Sequence, residues 1–308
     1  MKIAVYGAGG VGAYFGGRLA QAGAEVHLIA RGSHLAALKE NGLTVESIHG
    51  DFDVDLPATN DPHDIGECDV VLFCVKSFDT VDAAKRLDPL LGDDTAVLSL
   101  QNGIDNEDKL AERVGRDHVL GGVAYIFSTI GDPGVIEHTD GPARIIYGEL
   151  DGTRTDRIER FNVLCERADG MEGVLSEDVW TDLWNKYTFI SAMSGVTAAI
   201  RLPIGDIRSV DESWELYLGL LDEVKAVAAA EDVEVADDVI DDWIEFAHDL
   251  DRDTFSSLHY DMTNGKRMEL EALQGTVIKK ADEHDIDVPW SWAVYAILRP
   301  WAAKHADG

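Results

Sequence analysis

The first residues able to do chemistry are Gly7-Ala8-Gly9-Gly10-Val11-Gly12, a G-x-G-x-x-G run between an apolar segment and an Ala/Gly-rich one. In such a turn Gly7 permits a tight bend and Gly9 lets a pyrophosphate approach the backbone. Gly12 lets helix and strand pack closely, while Gly10 stands at the helix start, where N–H groups face the phosphates. The next apolar segment, 25–30, ends in Arg31. An NAD-specific site would place a carboxylate there to accept from the ribose 2′-hydroxyl. A guanidinium suits a 2′-phosphate instead, so NADP(H) is the expected cofactor. Lys76 and Asn102 follow two further apolar segments, 69–75 and 95–100. Ligands of doubly wound sheets lie at strand carboxyl ends, so both residues are expected beside the nicotinamide.

Those residues need a scaffold, and the pattern of the first half supplies one. Apolar runs at 3–6, 25–30, 69–75, 95–100 and 118–125 alternate with helical stretches. The run at 69–75 is almost continuously apolar, as in a parallel strand covered on both faces. The expectation is an α/β fold, a doubly wound parallel Rossmann sheet. Beyond about residue 170 the texture becomes helical. Segments 179–200, 212–231, 239–250, 268–285 and 291–304 carry helical periodicity, without a convincing strand. The predicted organisation is therefore an NADP-binding Rossmann domain at 1–168 and an all-helical substrate and catalytic domain at 169–308.

Charge narrows the partners. Lys and Arg total 26 against 58 Asp and Glu, a formal charge of -32. Such a surface repels nucleic acid and anionic membrane. The acids are dispersed, as in proteins from a high-salt cytoplasm where concentrated cations screen self-repulsion. Halophilic character is expected. The three cysteines, Cys68, Cys74 and Cys165, lack metal-ligand spacing. No metal is expected, and Cys74, inside an apolar run, reads as a buried thiol of a reducing compartment. With no signal peptide and no apolar stretch of the ~20 residues a membrane span needs, a soluble cytoplasmic protein is expected. The sequence leaves a homodimer open.

The second half carries Leu183-Trp184-Asn185-Lys186, then Ser256-Ser257-Leu258-His259-Tyr260-Asp261, then Gly265-Lys266-Arg267-Met268-Glu269-Leu270-Glu271-Ala272-Leu273-Gln274-Gly275. With the glycine run, Val75-Lys76 and Asn102-Gly103, these resemble the ketopantoate reductase (2-dehydropantoate 2-reductase) family over essentially the whole chain, in order and at suitable spacing. The resemblance implies reduction of ketopantoate to pantoate by NADPH, a step toward pantothenate and coenzyme A. It implies that Lys186 is the general acid, Glu269 a catalytic carboxylate, and Asn102 and Ser257 substrate-orienting groups, with Arg31 and Lys76 serving the cofactor. The chemistry needs such a set. A ketone accepting hydride builds charge on its oxygen, and a positioned ammonium both polarises the carbonyl and supplies the proton.

The sequence departs from the family at one stripe. The family usually carries asparagines four and eight residues after the lysine, on the same helix face. Here those positions are Ile190 and Ser194. Ser194 is kept as a substrate-binding candidate, but an alkyl group at 190 opens the alternative of another branched 2-oxo acid. A catalytically silent NADP(H)-binding regulator is the alternative from outside enzymology; the presence of both Lys186 and Glu269 speaks against it.

Overall fold

The computed structural model describes residues 1–306. The chain forms two compact units, one of Met1–Gln101 with Asn106–Asp182, the other of Asn102–Asp105 with the chain from Leu183 onward.

The first unit holds the strands β1 (Lys2–Tyr6), β2 (Glu25–Ile29), β3 (Leu43–Ser47), β4 (Phe52–Val54), β5 (Ala58–Thr59), β6 (Val70–Phe73), β7 (Ala96–Ser99), β8 (Val119–Ile130), β9 (Val135–Glu149) and β10 (Glu172–Leu175). They make one sheet in the order β4-β3-β9-β8-β7-β6-β1-β2-β5, with β10 added to β9. Its helices are α1 (Gly10–Gln21), α2 (Gly32–Asn41), α3 (Thr80–Ala84), α4 (Asn106–Val114) and α5 (Asp156–Cys165).

Successive residues of β1 point to opposite faces of the sheet, and both faces are covered. Ile3 and Val5 join Tyr14, Phe15 and Leu19 of α1 in one apolar core. Ala4 and Tyr6 join Ala84, Leu87 and Leu110 in another. A strand clad on both sides must be apolar at every position, which is why β1, β6 and β7 read as unbroken apolar runs.

The β7-β6-β1-β2 centre is parallel, as expected. The periphery is not. β8 and β9 run antiparallel, as do β3 and β4, so the sheet is mixed. β9 is not written as a strand in the sequence, because Thr139, Asp140 and Gly141 interrupt its alternation. The view that strands end before residue 170 also needs correction, since β10 pairs in parallel with β9.

The second unit is helical: α6 (Val179–Ile200), whose first turn falls in the other unit, then α7 (Ile204–Ile207), α8 (Asp211–Ala230), α9 (Val239–Asp249), α10 (Ser257–Thr263), α11 (Thr276–Glu283) and α12 (Pro289–Lys304). From Leu183 to Ala198 nearly every residue of α6 is buried, the mark of a helix apolar all round and central to its unit. It stops at Arg201, which adopts φ +62, just before Pro203. The expected continuous helix over 268–285 is broken. Residues Met268–Leu270 are irregular, Glu271–Gly275 form a π-helical turn closed by Gly275 N–H to the Leu270 carbonyl at 3.1 Å, and α11 follows. No described helix is long and apolar enough to cross a membrane.

Candidate active site

In the first unit the glycine run forms the turn between β1 and α1. Parallel register sets Tyr6 beside Phe73 and Phe73 beside Ser99. The loops that follow these three strands, carrying Gly7, Lys76 and Asn102, therefore start at one level of one sheet edge. Strand order reverses at β1, flanked by β6 and β2, so the glycine turn sits at the topological switch point.

The glycines divide by task. Gly7 has φ +101, and a Cβ there would meet the Cys74 carbonyl carbon at 2.8 Å; a Cβ on Gly12 would lie 2.8 Å from Val5 Cγ1. A Cβ on Gly10 would strike Ser128. These three are glycine because neighbours crowd them. Gly9 differs, since a Cβ there would meet nothing within 4 Å. Its backbone faces open space at the start of α1, where unpaired helix N–H groups lie. That combination suits a phosphate group.

The turn is anchored by β2. The N–H groups of Gly7 and Ala8 donate to the Ile29 carbonyl at 3.2 and 3.0 Å. Two residues on, Arg31 precedes α2; its guanidinium is 79% exposed and 3.1 Å from the Asp79 carboxylate. An exposed ion pair of this kind contributes little to stability, and the guanidinium remains accessible to solvent. Lys76 is exposed at the start of the short 3-10 turn Ser77–Asp79. Gln101 ties this loop to the next by donating to the Val75 carbonyl and to Thr80 Oγ1, each at 2.8 Å.

In the second unit the Lys186 ammonium donates to Asn102 Oδ1 at 2.8 Å. Burial pulls the Lys186 pKa down to about 8, while the Glu269 carboxylate pushes it back up. Glu269 itself is 8% exposed and lies two residues before the π-turn. Two hydrogen bonds tie that turn to α6. The Tyr187 hydroxyl donates to the Leu273 carbonyl, and the fully buried Gln274 donates from Nε2 to the Ser191 carbonyl at 2.7 Å. A π-turn admits one more residue per turn than an α-helix and recurs at functional sites.

The remaining candidates sit differently. Ser256, not Ser257, caps α10, accepting the His259 N–H at 3.2 Å, and its own hydroxyl lies 2.7 Å from Thr197 Oγ1. Ser257 stands exposed in the first turn of that helix. Ser194 is fully buried, and its hydroxyl has no hydrogen-bond partner among the described residues. Thr188 and Thr197 on the same helix bond back to the preceding turn, which Ser194 does not. Ile190 is partly exposed, one turn after Lys186.

Sequence reasoning did not find Tyr187, Gln274 or His34. Tyr187 lies 86 positions from Leu273 and Gln274 lies 83 from Ser191, so only the fold makes these bonds. Burial pushes the thiols up, to about 11 for Cys68 and about 12 for Cys74 and Cys165, so none is a ready nucleophile.

The family described as ketopantoate reductase PanE/ApbA matches residues 3–152, and its C-terminal counterpart matches 178–302. An uncharacterized oxidoreductase, YkpB of Bacillus subtilis, is 30% identical over 306 residues, 99% of this chain and 100% of its own. A 2-dehydropantoate 2-reductase of Halobacterium salinarum is 32% identical over 94% of this chain and 95% of its own. The crystal structure of a PanE/ApbA family ketopantoate reductase from Ralstonia eutropha matches with a TM-score of 0.91 at 33% identity, covering 99% of this chain and 100% of that one.

Proposed function

We propose, from the premise that this chain belongs to the ketopantoate reductase family, that it reduces 2-dehydropantoate to pantoate with NADPH. The observation that carries the reading is the Lys186 ammonium, held by Asn102 Oδ1 at 2.8 Å and lowered to about 8 with Glu269 opposing. Such a group is charged at neutral pH yet gives up its proton readily.

Gly9, the start of α1 and Arg31 would hold the dinucleotide, Arg31 at the 2′-phosphate. The open backbone at Gly9 fits a pyrophosphate, and NADPH when bound supplies hydride. Lys186 holds its proton at Nζ and passes it to the ketone oxygen, so the carbonyl becomes a secondary alcohol. Asn102 orients that Nζ by accepting from it. Glu269 favours the charged ammonium, which keeps the acid loaded. Ser257 and Ser194 are assigned to the substrate.

A second reading concerns the acid. Ile190 stands one helical turn from Lys186, where an alkyl group offers an apolar contact and no hydrogen bond. A related branched 2-oxo acid then becomes the preferred substrate, with the same chemistry. The test is NADPH oxidation with ketopantoate, 2-oxoisovalerate and acetolactate in concentrated KCl. Highest kcat/KM on ketopantoate supports the first reading, and preference for another acid supports the second. Activity on none of them removes both.

A further inference from the structure

His34 lies in the first turn of α2 and is 9% exposed. Its Nε2 is 2.8 Å from the Ala8 carbonyl oxygen, the second residue of the glycine turn. Its Nδ1 is 3.0 Å from the backbone nitrogen of Gly134, in the turn between β8 and β9. An amide N–H can only donate, so Nδ1 must offer its lone pair. A carbonyl can only accept, so Nε2 must carry the proton. Both partners thus demand the neutral Nε2–H tautomer, and burial favours the same neutral form by lowering the imidazole pKa.

The consequence falls on one peptide plane. The Ala8 N–H donates to Ile29, so the carbonyl side remained to be held, and His34 holds it. The Ala8 carbonyl shares its rigid plane with the Gly9 N–H, which donates to the Gly7 carbonyl at 2.8 Å. Gly9 has open space above it and needs no side-chain restraint from its surroundings, so its freedom has to be limited through its backbone. Without the imidazole, the Ala8–Gly9 plane would be held only by the Gly9 N–H bond, and the first N–H groups of α1 would be less firmly directed. His34 also joins α2, which follows Arg31, to that same turn.

We propose that His34 is a positioning residue for the dinucleotide pyrophosphate: it sets the glycine turn and touches no ligand itself. The proposal rests on the cofactor reading above. It predicts a loss common to both nicotinamide dinucleotides, because the pyrophosphate is common to both, unlike any loss at Arg31.

The test is fluorescence titration of NADPH and NADH against wild type, His34→Ala and His34→Gln. Losing the buried hydrogen bond to Ala8, together with that to Gly134, should raise Kd by on the order of tenfold, by the same factor for both dinucleotides. KM for the oxo acid should stay unchanged. His34→Gln, whose amide also offers one donor and one acceptor, should recover most of the affinity. An unchanged Kd in folded His34→Ala overturns the proposal. If wild type binds neither dinucleotide, the cofactor reading itself fails and the role of His34 goes with it. Nitrogen-15 spectra of the wild-type imidazole give a readout that needs no variant. They must show the neutral Nε2–H tautomer, with a shift that moves on adding NADPH; the Nδ1–H tautomer, or an unmoved signal under saturating NADPH, overturns the proposal.

Discussion

Lys186 and Asn102 are 84 positions apart in the chain, and the ammonium of one donates to the side-chain oxygen of the other at 2.8 Å. Asn102 follows β7, whereas Lys186 lies in the second turn of α6. An ammonium rotates freely about a flexible stem, and one fixed acceptor removes much of that freedom. The asparagine therefore restricts where the ammonium points.

The rate of reduction should follow the charge on Lys186. Burial lowers its pKa to about 8, so the proton is present below that pH and lost above it. Reduction needs the proton, so kcat should be level below pH about 8 and fall above it, by roughly tenfold per pH unit. Glu269 raises this pKa, so Glu269→Gln should move the fall to lower pH. A kcat profile flat from neutrality to strongly alkaline pH would contradict the assignment.

Lys186→Ala should chiefly lower kcat, by about 10²–10⁴-fold, because it acts on charge that appears in the transition state. Ser257→Ala should act mainly through KM, since orienting a bound acid is ground-state work. NADPH affinity should be unchanged in both. Steady-state kinetics with a separate NADPH titration distinguish these effects, and wild-type kcat in Lys186→Ala would return the residue to an ordinary helix lysine.

Arg31→Asp should weaken NADPH far more than NADH, because a charged contact is lost and a repulsion is added. Asp79, released from its 3.1 Å ion pair, would add to that repulsion. Equal losses for the two cofactors would sink the 2′-phosphate role.

Gln274→Ala should destabilise the chain by about 1–3 kcal/mol, the cost of losing a buried hydrogen bond. The bond lost is that to the Ser191 carbonyl at 2.7 Å. It should also lower kcat, because Glu269 lies two residues before the turn that Gln274 braces. Denaturant unfolding and kinetics measure the two effects, and an unchanged midpoint would remove the bracing role.

Concentrated salt should stabilise the protein. With a formal charge of -32, self-repulsion is screened as the Debye length falls from ~10 Å at ~0.1 M KCl to ~3 Å at ~1 M. The melting temperature should climb over that range, and indifference to salt would remove the halophilic reading.

Much was legible because it is local. The run Gly7–Gly12 after an apolar strand, the parallel centre at β1, β6 and β7, and the helices α6, α8, α9 and α12 are all written in periodicity. Strands clad on two faces are apolar throughout, and helices carry their period in adjacent turns. The peripheral strands were less visible. β9 is broken by polar residues at its middle, and β10 is only four residues long, so pairing with a distant partner, not its own pattern, makes each a strand.

The sequence by itself determined which residues could do chemistry, since residue type and the order of motifs do not depend on folding. It also determined the glycine turn, because only glycine tolerates Gly7 at φ +101 with the Cys74 backbone 2.8 Å away. Tertiary structure decided how those residues are charged and held. The Lys186 pKa of about 8 is set mainly by burial, which no local pattern encodes. Its bond to Asn102, the π-turn beneath Glu269 and the tautomer of His34 each require partners brought from far along the chain. Hydrogen bonds act over about 3 Å, and only the folded chain brings such distant groups that close.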